Sequence, residues 1–144
     1  MNITSIDSRF DIGQDNEKLN SNSYLSYIIL HQPNFLFNYT NIGYQSYYVD
    51  NQSIELMKQL LFDVHRIGNI KANIELAEPL LRNADIISID TSAFCASDAP
   101  GIKYNSPNGF SSEDGCKMTR YAGLNPKLTS IGFFEYNPNY DINN

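Results

Sequence analysis

Residues Ala84 to Asp90 read ADIISID, a run of strand length, apolar almost throughout, that closes on an acid. A strand apolar on both faces belongs inside a parallel sheet covered on both sides, and parallel neighbours need long crossovers, usually helical. The rest of the chain supplies the parts of such a sheet. Ile3 to Ile6 predicts a first strand running into the polar Asp7-Ser8-Arg9-Phe10-Asp11. Phe35 to Tyr44 predicts a second, rich in aromatic and β-branched residues. Phe62 to Ile67 predicts a short third, ended by Gly68, and Leu128 to Tyr136 a last one, stopped at Asn137-Pro138. Between them lie helical patterns. Tyr24 to Leu30 stops ahead of Pro33. Ile54, Leu56, Met57, Leu60 and Leu61 recur with Ser53 as N-cap, and Ile70, Ile74, Ala77, Leu80 and Leu81 recur through Pro79. Ser111 and Asp114 form a capping-box pair opening a helix that reaches about Ala122. Ile12 to Ser21 and Thr91 to Phe110 read as loops. Strands alternating with helices predict one α/β domain.

Charge narrows the partners. Ten basic against sixteen acidic side chains leave a net charge of −6, so no nucleic-acid partner is expected, because few cations are available to displace counterions from phosphates. No apolar run approaches the roughly 20 residues of a membrane span, so no membrane partner is expected either. The opening residues lack a basic region followed by an apolar one, and Cys95 and Cys116 make no disulfide framework. Both features point to a reduced, cytoplasmic setting with inert thiols. His31 and His65 belong to no ligand motif and read as structural or surface residues. The aromatic group of Phe35, Phe37, Tyr39, Tyr44, Tyr47 and Tyr48 reads as core and edge-strand packing. There is no GxSxG, P-loop or GxGxxG pattern to support a nucleophile elbow or a nucleotide site.

Three inferred strands deliver acids at their carboxyl ends, where open α/β sheets bind ligands. Asp7 and Asp11 follow the first, Asp90 closes a middle one and Glu135 stands near the end of the last. Convergent carboxylates suit a hard divalent cation. Acids in such places also serve as turn residues, bonding their own loop.

The residues around these acids carry a resemblance. Ser88-Ile89-Asp90-Thr91-Ser92, then Ala99-Pro100-Gly101, then Asn108-Gly109-Phe110 leading to Glu113, is similar to the arginase-family signature of a strand ending SFDxD, a loop with APG and a GLxxxE helix start. Ile131 to Pro138 resembles the following strand, which ends EVNP, and Asp7-Ser8-Arg9-Phe10-Asp11 sits where the family has DAHxD. The ordered set spans almost the whole chain and is most similar to bacterial formimidoylglutamase-like proteins. The resemblance implies a three-layer α/β/α fold with a mainly parallel sheet, incomplete at both ends, so that residues 1–144 form part of a ureohydrolase domain. It also implies hydrolysis of a guanidino or formimino carbon–nitrogen bond by water bridging two Mn²⁺ ions, with a small guanidino or formimino substrate and homo-oligomeric assembly.

Carried over position by position, the resemblance implies Asp7, Asp11 and Asp90 as metal ligands and Glu135 as the catalytic glutamate facing the cationic end of the substrate. Two ligand positions are substituted: Arg9 replaces the histidine of DAHxD and Ser92 the second acid of DxD. Ser21 and Asn22 fall near the family's substrate loop. A guanidinium is a permanent cation and cannot ligate a metal, so Arg9 is expected to neutralise the neighbouring carboxylates and to fill space that a metal takes in active relatives. The expectation is a pseudoenzyme-like chain with Mn²⁺ held weakly or absent. The alternatives are a working binuclear Mn²⁺ hydrolase at full length and a non-catalytic scaffold or binding protein.

Overall fold

The computed structural model of the protein describes residues 1–13, 18–103 and 106–141. Parts of the two loops expected over Ile12–Ser21 and Thr91–Phe110 therefore lie outside the described residues. In chain order the elements are β1 (Asn2–Ile6), α1 (Tyr24–Leu30), β2 (Asn38–Tyr44), α2 (Asn51–Gln59), β3 (Asp63–Arg66), α3 (Ile67–Ala72), α4 (Ala77–Arg82), β4 (Ile86–Asp90), α5 (Ser112–Gly123) and β5 (Ser130–Phe134). The five strands form one sheet in the order β3-β2-β1-β4-β5, and every pairing is parallel.

Successive side chains of the strands face opposite sides of the sheet and divide the core in two. Ile6, Ile42, Ile87 and Ile89 face a cluster completed by Ile67 and Ile70 of α3, Ala77 and Leu81 of α4, and Met118 and Ala122 of α5. Ile3 and Tyr39 face the other way, against Leu25 of α1 and Met57 of α2. Helices thus cover both faces, which is the three-layer arrangement expected.

Several expected elements are redrawn. The N-cap of α2 is Asp50, whose Oδ1 accepts from Ser53 N–H at 2.6 Å; Ser53 stands inside the first turn. The single helix expected through Ile70 and Leu81 is α3, a 3₁₀ turn at Ile74–Leu76, and α4. The break falls at Asn73, whose side chain caps Glu75 N–H at 3.1 Å, and Pro79 then sits in the first turn of α4, where its missing N–H costs nothing. The second and last strands are shorter than expected, because Phe35 to Phe37, Leu128-Thr129 and Glu135-Tyr136 lie outside the ladder. The capping box of α5 is present, with Asp114 Oδ2 accepting from Ser111 N–H at 3.0 Å and Ser111 Oγ accepting from Asp114 N–H at 3.1 Å. Tyr39 joins the core at 1% exposure, but Phe37 is 84% and Tyr47 60% exposed, so the aromatic group is only partly core. Cys116 is exposed and Cys95 half-buried, both as free thiols. Among the described residues no helix is long and apolar enough to cross a membrane.

The two sheet edges differ in kind. β3 carries Asp63 and Arg66, charges that blunt an edge. β5 reads SIGFF and leaves Phe133 60% and Phe134 55% exposed, the surface of an uncovered strand. Phe133→Lys is expected to lower self-association in sedimentation at rising concentration. A sedimentation profile identical to that of the unaltered chain would show that this edge takes no part in association.

Candidate functional site

The sheet order reverses between β1 and β4. The chain leaves β1 for β2 and β3 on one side, then returns to pair β4 with β1 on the other. The carboxyl ends of β1 and β4 therefore open a crevice at a switch point, the general ligand position in such sheets. Ile6 pairs with Ile89, so Asp7 and Asp90 follow on adjacent strands. By the alternation of the strands both point to the face covered by α1 and α2.

The segment after β1 is held against β2. Asp7 N–H donates to the Ile42 carbonyl at 3.0 Å and Gln45 N–H to the Ser8 carbonyl at 2.9 Å. Asn41, fully buried, donates from Nδ2 to the Arg9 carbonyl at 2.8 Å. This path turns the chain so that Asp11, at φ 52°, brings its carboxylate back to Asp7 and Asp90. Ligand oxygens of Asp7, Asp11 and Asp90 lie within 4.8 Å of one another. Both accounts of the acids hold at once, since Asp7 Oδ1 also accepts from Arg9 N–H at 2.9 Å and Asp90 Oδ1 from Ser92 N–H at 2.7 Å.

Glu135 follows β5 and lines the same cleft, of about 200 Å³, with Arg9, Ser21, Asn22, Tyr48 and Lys103. Its φ of 65° is left-handed. Of the described non-glycine residues in that region, Asp11 and Glu135 flank the cleft and Leu61 lies elsewhere, a clustering typical of functional sites. Thr91 Oγ1 donates to the Phe134 carbonyl at 2.9 Å and so ties the last strand's end to the loop after β4.

Electrostatics follow from packing. Burial raises the Asp7 carboxyl well above its ordinary value, and the charges of Asp11 and Asp90 raise it further. Asp11 is pushed up to about 6, chiefly by burial, with its hydrogen bond to Asp7 and the Arg9 charge acting the other way. Asp90 is also raised by burial, against the pull of its Ser92 bonds. Burial thus outweighs Arg9. The guanidinium stands over the Tyr48 ring, 4.8 Å from its centroid, a cation–π contact. Ser92 Oγ lies 3.1 Å from Ser8 Oγ, so a hydroxyl pair occupies the place expected of a further acid.

Crowded, buried oxygen donors fit one hard divalent cation such as Mn²⁺ or Mg²⁺. Beside them stand the guanidinium of Arg9 and the hydroxyl of Ser92, neither of which is an anionic ligand. Tyr48, Tyr24 and Phe134 also line the site, and reading along the chain missed them. Tyr48 follows the Gly43-Tyr44-Gln45 exit from β2, the one local signal that it leaves the core.

The profile of the arginase family, described as "Arginase family", matches residues 1–144. No curated protein sequence matches the chain. In structure it is similar to formimidoylglutamase from Bacillus subtilis subsp. subtilis str. 168, with TM-score 0.81, 16% identity and 98% of this chain matched to 46% of that one. Trypanosoma cruzi formiminoglutamase with Mn²⁺ gives TM-score 0.84 at 17% identity, with 96% of this chain matched to 49%. A quadruple mutant of the T. brucei arginase-like protein, with three serines changed to aspartate and one arginine to histidine, gives 0.71 at 18%, with 96% matched to 42%. The chain spans just under half the length of these proteins. With a profile matched from end to end and a fold shared with these structures, the chain belongs to the arginase family.

Proposed function

We propose that this chain is the acid-bearing segment of a formimidoylglutamase-like ureohydrolase whose two-metal centre has lapsed, leaving little or no hydrolysis of guanidino or formimino carbon–nitrogen bonds. The observation that carries this is Arg9. It occupies the histidine position of the DAHxD-like segment and lines the acid cleft with its guanidinium over Tyr48. A second supports it: the hydroxyl of Ser92 faces that of Ser8 and offers no anionic ligand.

A metal in such a centre supplies hydroxide near neutral pH by lowering the pKa of bound water. The chain's own residues divide the remaining work. Asp7, Asp11 and Asp90 hold positive charge, and Glu135, at the rim, orients the cationic end of a substrate. Asn41 fixes the loop that presents Arg9. With Arg9 and Ser92 in place of anionic or imidazole ligands, Asp7, Asp11 and Asp90 would hold less metal than a two-metal centre needs to supply that hydroxide.

The test is to change Arg9→His and Ser92→Asp together, the same two kinds of exchange made in the T. brucei relative. Elemental analysis after dialysis is expected to rise from at most one manganese per chain to nearly two, with ammonia or urea release measured on the same samples. Unchanged manganese would reject the assignment of these positions.

A further inference from the structure

β5 closes the sheet on one side, and among the described residues no strand lies beyond it. After β5 the chain turns back towards the loop that follows β4. The Phe134 carbonyl accepts from Thr91 Oγ1 at 2.9 Å, and Asn137 N–H donates to the Gly101 carbonyl at 2.7 Å. The outer edge of β5 is left open, with Ile131 41% and Phe133 60% exposed. Such an edge offers a row of backbone donors and acceptors to a further strand. Its flanks select which strand fits. Residues 127–135 read KLTSIGFFE, with one cation at the start, one anion at the end and no charge between them. Lys127 and Glu135 are both exposed. Neither takes part in the ion pairs of the described residues, which lie within α2, α4 and α5. The two charges stand equally far from Ile131, so the segment is complementary to its own reverse.

We propose that the β5 edge docks a second copy of this chain, with the two β5 strands antiparallel about a two-fold axis at Ile131. A two-fold axis pairs identical edges antiparallel, where N–H meets C=O, although every pairing inside the sheet is parallel. The register sets Lys127 of each copy opposite Glu135 of the other. Ile131 meets its own counterpart, Ser130 lies beside Gly132, and Phe133 lies beside Thr129 just ahead of the strand. Opposite charges and aromatic–β-branched neighbours are favourable cross-strand pairs. Centring the pair on Gly132 would set Lys127 against Asn137 and Glu135 against Thr129, with no charge pairing. A net charge of −6 on each copy opposes contact through an arbitrary face. The register also brings the second copy's Lys127 to the rim of the acid cleft, which Glu135 lines. Few residues pair, so the dimer is expected to be weak, with a Kd on the order of tens of micromolar.

The experiment is sedimentation velocity on the full chain and its charge variants, from roughly 10 µM to 1 mM. The unaltered chain is expected to pass from monomer to dimer. Lys127→Glu alone, or Glu135→Lys alone, sets like charges opposite each other twice per dimer. Each is expected to weaken association by at least about tenfold. An equimolar mixture of the two single variants is expected to associate again, because each then meets its opposite. The double variant, which exchanges the two signs, is expected to associate like the unaltered chain and shows that neither exchange harms the fold. A chain that stays monomeric throughout overturns the proposal and leaves the edge to a different strand. Association that the single variants keep, or that neither mixing nor the double variant restores, overturns it as well.

Discussion

Gly109→Ala is expected to destabilise the fold by about 3–5 kcal/mol, the range of severe backbone and packing lesions. A Cβ at Gly109 would stand 2.2 Å from Cys95 N and Phe94 C, and 2.6 Å from the Phe94 carbonyl oxygen. All three are backbone atoms, so no side chain can swing aside. The close approach is what lets the two arms of the long loop pair. Phe110 N–H donates to the Ala93 carbonyl at 2.9 Å and Cys95 N–H to the Phe110 carbonyl at 3.0 Å. The Gly109 carbonyl itself accepts from Lys71 Nζ at 2.7 Å. Forcing the arms apart withdraws Phe110, fully buried, from the core it shares with Ala93 and Phe94. Gly68→Ala in α3 is the control, since nothing lies within 4 Å of its added Cβ. It is expected to be neutral or stabilising by up to about 1 kcal/mol. Urea denaturation of the two variants reads the contrast directly, and a Gly109→Ala midpoint equal to that of Gly68→Ala would refute the close approach.

Asp11→Asn is expected to stabilise the metal-free protein at neutral pH. The folded Asp11 carboxyl is pushed up to about 6 from an ordinary 3.8, so between those values the folded state binds more protons than the unfolded one. Stability therefore falls as pH rises through that window, and the loss is complete above about pH 6. Its size is on the order of 3 kcal/mol at pH 7, at 1.36 kcal/mol per pKa unit. Asp7 and Asp90, also raised, add losses of the same sign. Asparagine keeps the shape and tolerates the left-handed φ of 52°. Urea midpoints are expected to rise by the equivalent of about 2 kcal/mol at pH 7.5 and to be unchanged near pH 4, where the parent carboxyl is already protonated. The same substitution is expected to weaken added Mn²⁺, since it removes one of three anionic ligands. A destabilised Asp11→Asn variant at pH 7.5 would mean that Arg9 compensates the cluster after all. The acids are thus held against their own stability, as functional groups often are.

The parts of the fold set by local chemistry were legible along the chain. The continuous apolar run of β4, the Ser111–Asp114 capping box and the α1 pattern all lie where expected. Boundaries decided by competition were not. Asp50 outcompetes Ser53 for the start of α2, and Asn73 captures Glu75 N–H and cuts one helical period in two. For the site, position at the strand ends marked the acids as candidates, and the resemblance of their segments to DAHxD and DxD was needed to name the three carboxylates that converge. The stacking of Arg9 on Tyr48 joins residues across β1 and β2, and one hollow beside the acids is lined by both Tyr24 and Phe134, far apart in the chain. Only the parallel order of the strands brings those rings to one end of the sheet, and no local pattern encodes it.

The most direct test of the lapsed centre is the manganese content of the unaltered chain, saturated with Mn²⁺, dialysed and counted by elemental analysis against protein concentration. At most one equivalent is expected, lost with Asp90→Asn, because Asp7, Asp11 and Asp90 can serve a single ion beside Arg9. Two tightly held equivalents would contradict the account.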